Sequence, residues 1–346
     1  MDLRETDIAV VGATGAVGLE VLSILHDRGV APGRIRALAS PRSAGTTLPY
    51  ADAELSVAEV SATALDGAGV ALLAASSDAA RQWAPIARAA GAHVIDNSSA
   101  FRMDPAVPLV VPEVNPDAIA ATDAPLLIAN PNCSTIIMLL AITPVRRAFG
   151  VRRLVVSTYQ AVSGAGAAAM EELTSQTRAV LDGASPEPRV FSDVCAFNVF
   201  SHDSALDPET GRNLEEDKLI RETRKIWDDQ TVEITATCVR VPVLRAHTES
   251  INIELATPAT ADEVRTAIEG SAGVEIVDDR AHSRFPTPRR ASGRDPVLVG
   301  RIRPDGGATM DADGRTTRFD LLCSGDQLRK GAALNAIQIA EALPPR

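Results

Sequence analysis

Short apolar runs alternate with helical stretches through the first third of the chain. Residues 17–27 and 78–90 are rich in alanine or leucine, which favours helix. Short apolar runs bounded by polar turns predict buried strands. The runs predicted as strands are residues 8–11, 35–39, 70–74, 93–96 and 109–111. Strands that alternate with helices in this way predict a parallel sheet with helices on both faces.

The pattern changes after Asn130. From there the apolar segments become longer and richer in β-branched residues, which is typical of a mainly antiparallel sheet. An amphipathic segment at 327–342 predicts a helix, while 182–188 and 286–293 predict exposed loops. The strands predicted in this part are residues 154–158, 232–239, 250–255, 297–302 and 318–322.

Length and composition agree with two globular domains. The chain has 346 residues, of which 45% are hydrophobic and 23% charged, and is long enough for two cores. We predict an α/β chain with one domain over residues 1–130, completed by a C-terminal helix at 325–346. The second domain is predicted over residues 131–324.

Charge and cysteine usage narrow the class of partner. The net charge of −11 argues against general nucleic-acid binding and against docking on an anionic membrane. Small molecules or another copy of the chain are therefore the expected partners. The four cysteines are widely spaced, which predicts neither a disulfide framework nor a metal site. No apolar run approaches the ~20 residues that cross a bilayer, so we expect a cytoplasmic protein.

One cysteine lies where a strand is predicted to end and a helix to begin. Cys133 falls within Asn130-Pro131-Asn132-Cys133-Ser134-Thr135, between the apolar run 125–129 and a helix predicted over 134–149. The unpaired N–H groups and partial positive charge of a helix N-terminus favour a thiolate. The same N–H groups can hold the oxyanion that forms when sulfur attacks an acyl carbon. Cys133 is therefore a candidate nucleophile, although these residues alone also allow a buried, inert thiol.

A glycine-rich turn follows the first predicted strand. Its spacing is G-x-x-G-x-x-G, a variant of the dinucleotide fingerprint, in which glycines let the backbone approach a pyrophosphate at a helix N-terminus. A tight turn without a ligand remains the alternative. The candidate cofactor-binding residues here are Gly12, Thr14, Gly15, Ala16, Val17 and Gly18.

The residues after the second predicted strand indicate which dinucleotide fits. An acidic residue at this point would bind the ribose 2′-hydroxyl of NAD, but the chain has Ser40-Pro41-Arg42-Ser43. Hydroxyls and a guanidinium suit a 2′-phosphate, so the sequence favours NADP. The alternative is that Arg42 is an ordinary solvated charge.

Two further residues are candidates for the chemistry. Gln160 lies in a loop of small residues, Tyr159-Gln160-Ala161-Val162-Ser163-Gly164-Ala165-Gly166, where it can orient a substrate or a water. His247, one of five histidines, follows the strand 232–239 and is our candidate for acid and base catalysis. A lone histidine is more often structural, so this assignment depends on the neighbouring motifs.

Six strings in order give the chain a resemblance to a known family. They are NPNCST, YQAVSGAG, FSDVCAFNVFSH, ETRKIW, ATCVRVPV with its downstream AHTES, and LRKGAALNAIQIAE. Together they resemble aspartate-β-semialdehyde dehydrogenase over essentially the whole chain, closest to its cyanobacterial and plant-like branch. The resemblance implies a Rossmann-type dinucleotide-binding domain and an α+β catalytic and dimerisation domain. It also implies a homodimer or homotetramer.

The activity implied is an NADP-dependent reductive dephosphorylation of L-aspartyl-4-phosphate to L-aspartate-4-semialdehyde, on the route to lysine, threonine and methionine. In that chemistry a thiolate displaces phosphate from the acyl phosphate, and the thioester accepts a hydride. The resemblance gives the nucleophile role to Cys133 and substrate positioning to Gln160. It gives proton transfer, by a group of pKa near 6.5, to His247.

Other roles are carried over by the same resemblance. Arg240 matches the arginine that binds the substrate carboxylate, and Arg102 the arginine that binds phosphate. Lys218 is matched to a lysine that joins Arg102, and Glu215 to the acid that meets the ammonium group. Asn132 also belongs to the implied substrate site. The implied cofactor contacts outside the glycine-rich turn are Ser40, Arg42, Ser43, Ser76, Ser163, Gly164 and Asn335.

Some segments depart from the family pattern. Residues 74–78 replace a glycine-richer run, 204–211 are a polar insertion, and 323–326 are unusual. Two other functions stay open on the sequence. One is a related acyl-phosphate reductase such as N-acetylglutamyl-phosphate reductase. The other is a dinucleotide-binding paralogue without catalytic activity.

Overall fold

A computed structural model describes residues 1–119 and 124–344 of the chain. The chain divides into two compact units. The first is Met1–Asn132 together with Gly331–Arg346, and the second is Cys133–Lys330. The domain boundaries expected at 130 and 324 lie close to these positions.

Helices and strands are numbered here in chain order. The helices are α1 (Ala16–Asp27), α2 (Ala62–Leu65), α3 (Ser77–Ala89), α4 (Cys133–Phe149), α5 (Ala167–Leu181), α6 (Leu214–Ile226), α7 (Ala261–Ile268), α8 (Pro288–Ala291) and α9 (Leu334–Ala342). The strands are β1 (Ile8–Val11), β2 (Ile35–Ala39), β3 (Thr47–Tyr50), β4 (Ala53–Glu59), β5 (Val70–Leu73), β6 (His93–Asp96), β7 (Leu127–Ala129), β8 (Val151–Gln160), β9 (Phe200–Ser201), β10 (Glu233–Arg240), β11 (His247–Ala259), β12 (Val274–Ile276), β13 (Val297–Pro304) and β14 (Thr316–Gly325).

The sheet of the first unit has the order β3-β4-β2-β1-β5-β6-β7 in the part of the chain that the structure describes. All its pairs are parallel except β3 with β4. From β1 the chain builds outward through β2 and β4, then returns to add β5 on the other side. This reversal creates a crevice at the carboxyl ends of β1 and β5, where doubly wound folds bind their ligands. The predicted parallel sheet is therefore confirmed.

Strand β1 is buried on both faces, which explains its unbroken apolar run. Ile8 and Val10 face a core that includes Ile337 of α9, while Ala9 and Val11 face a second core that includes Ala84 of α3. Successive side chains of a strand point to opposite faces. A strand at the centre of such a sheet therefore needs apolar residues at every position.

Two of the predictions for this unit are wrong in part. The strand expected at 109–111 is a single bridge between Leu109 and Ala129. Pro108 and Pro112 flank it and lack the N–H that a longer ladder needs. The helix expected over 327–342 is α-helical only from Leu334, since a π-helical turn occupies Arg329–Ala333. That wider turn includes Gly331, a residue of low helix propensity.

The second unit contains a mixed sheet of order β12-β13-β14-β11-β8-β10-β9 among the described residues. Its pairs are antiparallel except β8 with β10 and β12 with β13, so the expectation of a mainly antiparallel sheet is confirmed. Helix α4 packs on this sheet against β11, β13 and β14. Its residues from Ser134 to Thr143 are buried on all sides, as a core helix requires.

One loop prediction for the second unit is wrong. The segment expected to be an exposed loop at 286–293 contains α8, and Ala291 in this helix is fully buried. Thr287 caps the helix by accepting a hydrogen bond from the backbone N–H of Arg290. Among the described residues, no helix combines the length and the hydropathy needed to span a membrane.

Candidate active site

Cys133 is the first residue of α4, which follows β7, so its predicted position between strand and helix is confirmed. Its side chain is partly exposed, whereas the other three cysteines are buried. Burial raises the pKa of the Cys195 thiol to about 11 and also raises the pKa values of Cys238 and Cys323. Of the four thiols, Cys133 is therefore the one that a substrate can reach.

His247 lies at the end of the sheet that the start of α4 covers. His247 is the first residue of β11 and pairs with Gly325, the last residue of β14. A Cβ atom added to Gly325 would lie 2.9 Å from Cγ1 of Ile137, one helical turn after Cys133. The second unit thus brings the first turns of α4 to the same end of the sheet as His247.

The imidazole of His247 is fully buried and has a defined tautomer. The backbone N–H of Ala161 donates to Nδ1 at 3.0 Å, so the neutral ring carries its proton on Nε2. Burial, reinforced by the positive charge of Arg240, lowers the pKa of His247 to about 3, although Glu215 acts in the opposite direction. The expected value near 6.5 is therefore wrong for this state of the protein, because sequence reasoning could not include the burial.

Gln160 joins His247 to an acidic residue. Its amide Nε2 donates to Oε1 of Glu215 at 3.1 Å, and its Oε1 accepts from the hydroxyl of Thr158 at 3.0 Å. The same amide nitrogen lies 3.4 Å from Nε2 of His247. Because both of these nitrogens are donors, they form no hydrogen bond with each other, and the proton on His247 stays available to a ligand. The other oxygen of Glu215 accepts from Lys218 at 3.2 Å. Glu215 and Lys218 thus share one face of α6.

Arg240 is almost completely buried and its charge has partners within the chain. Its Nη2 donates to Oδ1 of Asp203 at 2.6 Å and lies 3.0 Å from Nε2 of His202. Its Nη1 donates to the carbonyl of Ala161 at 2.9 Å, and the guanidinium lies over the ring of Phe191. No role was predicted from the sequence for His202 or Asp203. Both residues lie in the string FSHDS, whose histidine and aspartate are candidate polar partners for an arginine. Only the pairing of β9 with β10 brings them next to Arg240.

Because Gly164 has no side chain, its backbone packs closely against the ends of Arg240 and His247. A Cβ atom at Gly164 would lie 3.3 Å from Nη1 of Arg240 and 3.4 Å from Nε2 of His247. These distances are shorter than ordinary van der Waals contact, so a side chain here would fill the space between the two polar groups. The neighbouring Ser163 is fully buried, and its hydroxyl accepts a hydrogen bond from Gln327.

In the first unit, the glycine-rich turn has the geometry of an anion-binding loop. Gly12 has φ +85°, and a Cβ atom there would lie 2.3 Å from the carbonyl oxygen of Ala74. A Cβ atom at Gly18 would lie 2.2 Å from the carbonyl oxygen of Gly12. Gly15 precedes α1 and offers no side-chain cap, so backbone N–H groups of the first turn face the crevice. The other candidates, Thr14, Ala16 and Val17, lie in the same turn and the start of α1.

The segments after β2 and β5 flank this turn. Ser40, Arg42 and Ser43 form a turn directly after β2, in which the backbone N–H of Ser43 donates to the carbonyl of Ser40 at 2.9 Å. Arg42 is exposed, and no carboxylate within residues 1–119 and 124–344 makes an ion pair with it. Ser76 follows β5 and caps α3 by accepting from the N–H of Ala79. Both segments lie at the carboxyl edge of the sheet, beside β1.

Asparagine side chains connect α9 to the strand ends of the first unit. Asn335 donates to the carbonyl of Val110 at 3.0 Å and to Oδ1 of Asn130 at 2.6 Å. Asn130 in turn donates to Oδ1 of Asn97 at 2.9 Å. The guanidinium of Arg102 donates to the carbonyl of Asn97 at 2.8 Å. This network fixes the backbone before Asn132, and both amide hydrogens of Asn335 are used within the unit.

The buried histidines give the first testable prediction. We expect the free energy of unfolding to fall as the pH drops from about 6.5 toward 3. In this window an unfolded histidine binds a proton, whereas folded His247 does not, so the stabilisation present above pH 6.5 is lost on acidification. The slope from this one residue approaches about 1.4 kcal/mol per pH unit. Urea unfolding of the native protein and of His247→Gln at several pH values measures this slope.

The difference in slope between the native protein and His247→Gln separates the contribution of His247 from that of the carboxylates, which titrate in both proteins. Burial also lowers the pKa of His202, which adds a second contribution of the same sign to both proteins. The His247→Gln protein should therefore show the shallower slope. Equal slopes in both proteins would mean that His247 titrates alike in the folded and unfolded states.

Comparison with known proteins identifies the chain as a semialdehyde dehydrogenase. A family model described as the NAD binding domain of semialdehyde dehydrogenases matches residues 7–122, and one described as their dimerisation domain matches residues 142–330. The chain is 47% identical to an aspartate-semialdehyde dehydrogenase of Synechocystis over 98% of this chain and 97% of the relative. It is 42% identical to the Bacillus subtilis enzyme of the same name over 98% of each chain.

Solved structures agree. The crystal structure of aspartate semialdehyde dehydrogenase II from Vibrio cholerae, complexed with ASA, matches with a TM-score of 0.91 and 41% identity over 98% of each chain. The chain belongs to the aspartate-semialdehyde dehydrogenase family. Its first unit is the nicotinamide-dinucleotide-binding domain of that family, and the resemblance stated from six sequence strings is confirmed.

Proposed function

We propose that the protein catalyses the NADP-dependent reductive dephosphorylation of L-aspartyl-4-phosphate to L-aspartate-4-semialdehyde. The product is a precursor of lysine, through diaminopimelate, and of threonine and methionine. The observation that carries this proposal is the grouping of Gln160, Glu215, Arg240 and His247 at the end of the second sheet where α4 begins with a partly exposed cysteine. The family membership supports the same reaction.

Cys133 is the nucleophile of the proposed reaction. Its sulfur attacks the acyl carbon, a C–S bond forms, and the C–O bond to phosphate breaks, which leaves a thioester and free phosphate. The N–H groups at the start of α4 stabilise both the thiolate and the oxyanion of this step. When bound, NADPH supplies the hydride that reduces the thioester.

His247 acts on the oxygen of the reduced intermediate. Because its Nδ1 accepts from the backbone, the neutral imidazole presents Nε2–H as a hydrogen-bond donor to that oxygen. The C–S bond then breaks, the aldehyde leaves, and the thiolate is regenerated. Gln160 holds the substrate carbonyl beside the sulfur with a neutral amide that does not compete for the proton.

The remaining polar groups recognise the substrate. Arg240 binds the α-carboxylate through parallel hydrogen bonds, and Glu215 accepts the α-ammonium group. The phosphate is bound by Arg102 and Lys218. Asn132 completes the substrate site, and its position immediately before Cys133 supports this role.

The cofactor residues fit a dinucleotide with a 2′-phosphate. A Cβ atom would block the turn at Gly12, and the exposed guanidinium of Arg42 lies after β2 where an acidic residue would select NAD. The glycine-rich turn binds the pyrophosphate, and Ser40, Arg42 and Ser43 bind the 2′-phosphate. Ser76, Ser163, Gly164 and Asn335 are the further proposed cofactor contacts, and Ser163 and Asn335 each hold neighbouring groups of their own unit by hydrogen bonds.

Replacement of Arg42 tests the cofactor assignment. We expect Arg42→Ala to raise the KM for NADPH roughly 10- to 100-fold and to leave the KM for NADH almost unchanged, because only NADPH carries the phosphate. Steady-state kinetics with both cofactors measures it. Arg28→Ala is the matched control, since Arg28 lies at the other end of α1 and pairs with Glu341. Equal kcat/KM for NADPH and NADH in the unmodified protein would refute the preference.

The reaction itself is tested with a substrate panel. The purified protein is given phosphate and NADP with either aspartate semialdehyde or N-acetylglutamate semialdehyde, and NADPH formation is followed by absorbance. We expect turnover with aspartate semialdehyde, whose free ammonium group matches Glu215. Turnover with N-acetylglutamate semialdehyde instead would assign the protein to the related reductase, and turnover with neither would refute both.

We also propose a cytoplasmic homodimer or homotetramer formed through the second unit. The description of the matching family model as a dimerisation domain supports this assembly. Light scattering on the purified protein distinguishes two copies from four. A monomer at micromolar concentration would contradict the proposal.

A further inference from the structure

The guanidinium of Arg240 is nearly saturated by groups of its own chain. A guanidinium has five N–H donors. Oδ1 of Asp203 accepts from Nε at 3.2 Å and from Nη2 at 2.6 Å, and the second Nη2 hydrogen faces Nε2 of His202 at 3.0 Å. The carbonyl of Ala161 accepts from Nη1 at 2.9 Å. His202 covers the second Nη2 hydrogen without accepting from it, because its Nδ1 accepts from the backbone N–H of Ser204 and its Nε2 therefore carries the proton. With Asp203 on one edge of the guanidinium and His202 against Nη2, no pair of neighbouring donors is open to a carboxylate that binds through two hydrogen bonds.

The group on Arg240 is chemically the same as the one that the proposed substrate would offer. Asp203 presents a carboxylate, and burial acts to raise its pKa, but the charge and hydrogen bond of Arg240 outweigh this and lower it. Asp203 is therefore ionised at neutral pH. Its side chain is 25% exposed, against 2% for Arg240, so the carboxylate reaches the arginine from the solvent side.

The buried arginine needs an anion at all times. A guanidinium does not lose its proton in proteins, and a buried charge without a partner is strongly destabilising. In the free protein Asp203 meets that need. Oδ2 of Asp203 accepts from no side chain among the described residues, and β9 before it is only two residues long. Asp203 is thus held by Arg240 and can leave when another carboxylate replaces it.

We propose that Asp203 is an internal competitor for the substrate carboxylate. It neutralises Arg240 in the free protein and is displaced when the α-carboxylate of the substrate binds, an inference that rests on the proposed substrate role of Arg240. Asp203 thereby acts as a specificity-determining residue. A ligand with a carboxylate can exchange with it, whereas an aldehyde without a carboxylate offers Arg240 nothing in return.

Asp203→Asn tests the exchange. The neutral amide still accepts a hydrogen bond from Arg240 but removes the competing charge. We expect the KM for aspartate semialdehyde to fall about tenfold, because binding no longer displaces an ion pair. The aldehyde 3-aminopropanal lacks the carboxylate, so its KM should stay within about twofold of the native value, as should the KM for phosphate. A purely structural role for Asp203 would change the three constants together.

Asp207→Asn is the matched control. Asp207 lies in the same segment, and its carboxylate accepts from the N–H of Glu209 and the hydroxyl of Thr210 without contact to Arg240. It should leave the KM for aspartate semialdehyde unchanged. If Asp203→Asn does not fold, Asp203→Ser is measured in the same way. A raised KM for aspartate semialdehyde in the Asp203 variant, or an equal fall with 3-aminopropanal, would overturn the inference.

The outcomes separate this inference from the proposed function. Turnover of the native protein with aspartate semialdehyde tests the function, and a raised KM in Arg240→Ala tests the role of the arginine. If both results are as expected and Asp203→Asn still leaves the KM for aspartate semialdehyde unchanged, only the competition is refuted.

Discussion

Cys133→Ser is expected to abolish formation of NADPH from aspartate semialdehyde, phosphate and NADP, with a loss in kcat of at least about 10⁴-fold. A serine hydroxyl at this position is a far weaker nucleophile than a thiolate, and the partial charge at the start of α4 cannot ionise it. Folding and NADPH binding should be unaffected, because the cofactor turn belongs to the first unit. Steady-state turnover and a fluorescence titration with NADPH measure the two properties.

The buried cysteines provide the control. Cys195→Ala removes a thiol that lies in a small apolar cluster with Phe191 and Leu173, so it should reduce stability without removing turnover. Labelling of the native protein with iodoacetamide should modify one thiol per chain, at Cys133, since burial raises the pKa values of the other three. The Cys133→Ser protein should take up no label.

Two results would count against covalent catalysis by Cys133. One is retained turnover in Cys133→Ser above a few per cent of the native rate. The other is labelling of a buried cysteine with loss of activity while Cys133 stays unmodified. If NADPH binding were lost together with turnover, the substitution would have disturbed the fold, and the labelling experiment would then decide.

Local patterns of apolar and polar residues predicted the central strands of the first unit well. The bounds of β1, β2 and β6 agree with the prediction residue for residue, because strands buried on both faces give continuous apolar runs between turns. The edge strand β3 and its neighbour β4 were not predicted. Their exposed residues alternate with buried or partly buried ones, and Pro49 interrupts the first of them, so neither strand gives a continuous apolar run.

The chemistry of the site was less accessible to sequence reasoning. Residue types and family strings identified Cys133 and His247 as candidates, but no local pattern gives the burial that lowers the pKa of His247 to about 3. The pairing of Asp203 with Arg240 spans 37 residues of sequence. It arises from the register between β9 and β10, which is set by the whole sheet. Contacts of this kind follow only from the three-dimensional fold.

His247→Asn is expected to lower kcat by roughly 10²- to 10⁴-fold, with a smaller change in the KM for aspartate semialdehyde. The asparagine oxygen can still accept from the N–H of Ala161, as Nδ1 does, but no donor remains at the position of Nε2. His247→Gln reaches that position and keeps a neutral N–H donor, so it should retain about tenfold more activity than the asparagine variant. His282→Gln, at an exposed histidine, should leave kcat unchanged.

The pH dependence of kcat/KM separates a neutral donor from an acid that titrates near neutrality. Because the pKa of His247 in the free protein is about 3, His247 should contribute no change between pH 5 and 8. Profiles of the native and His247→Gln proteins should therefore have the same shape, differing only in height. A limb near pH 6.5 in the native protein that disappears in His247→Gln, together with equal activity of the Asn and Gln variants, would show that His247 acts as a titrating acid and base.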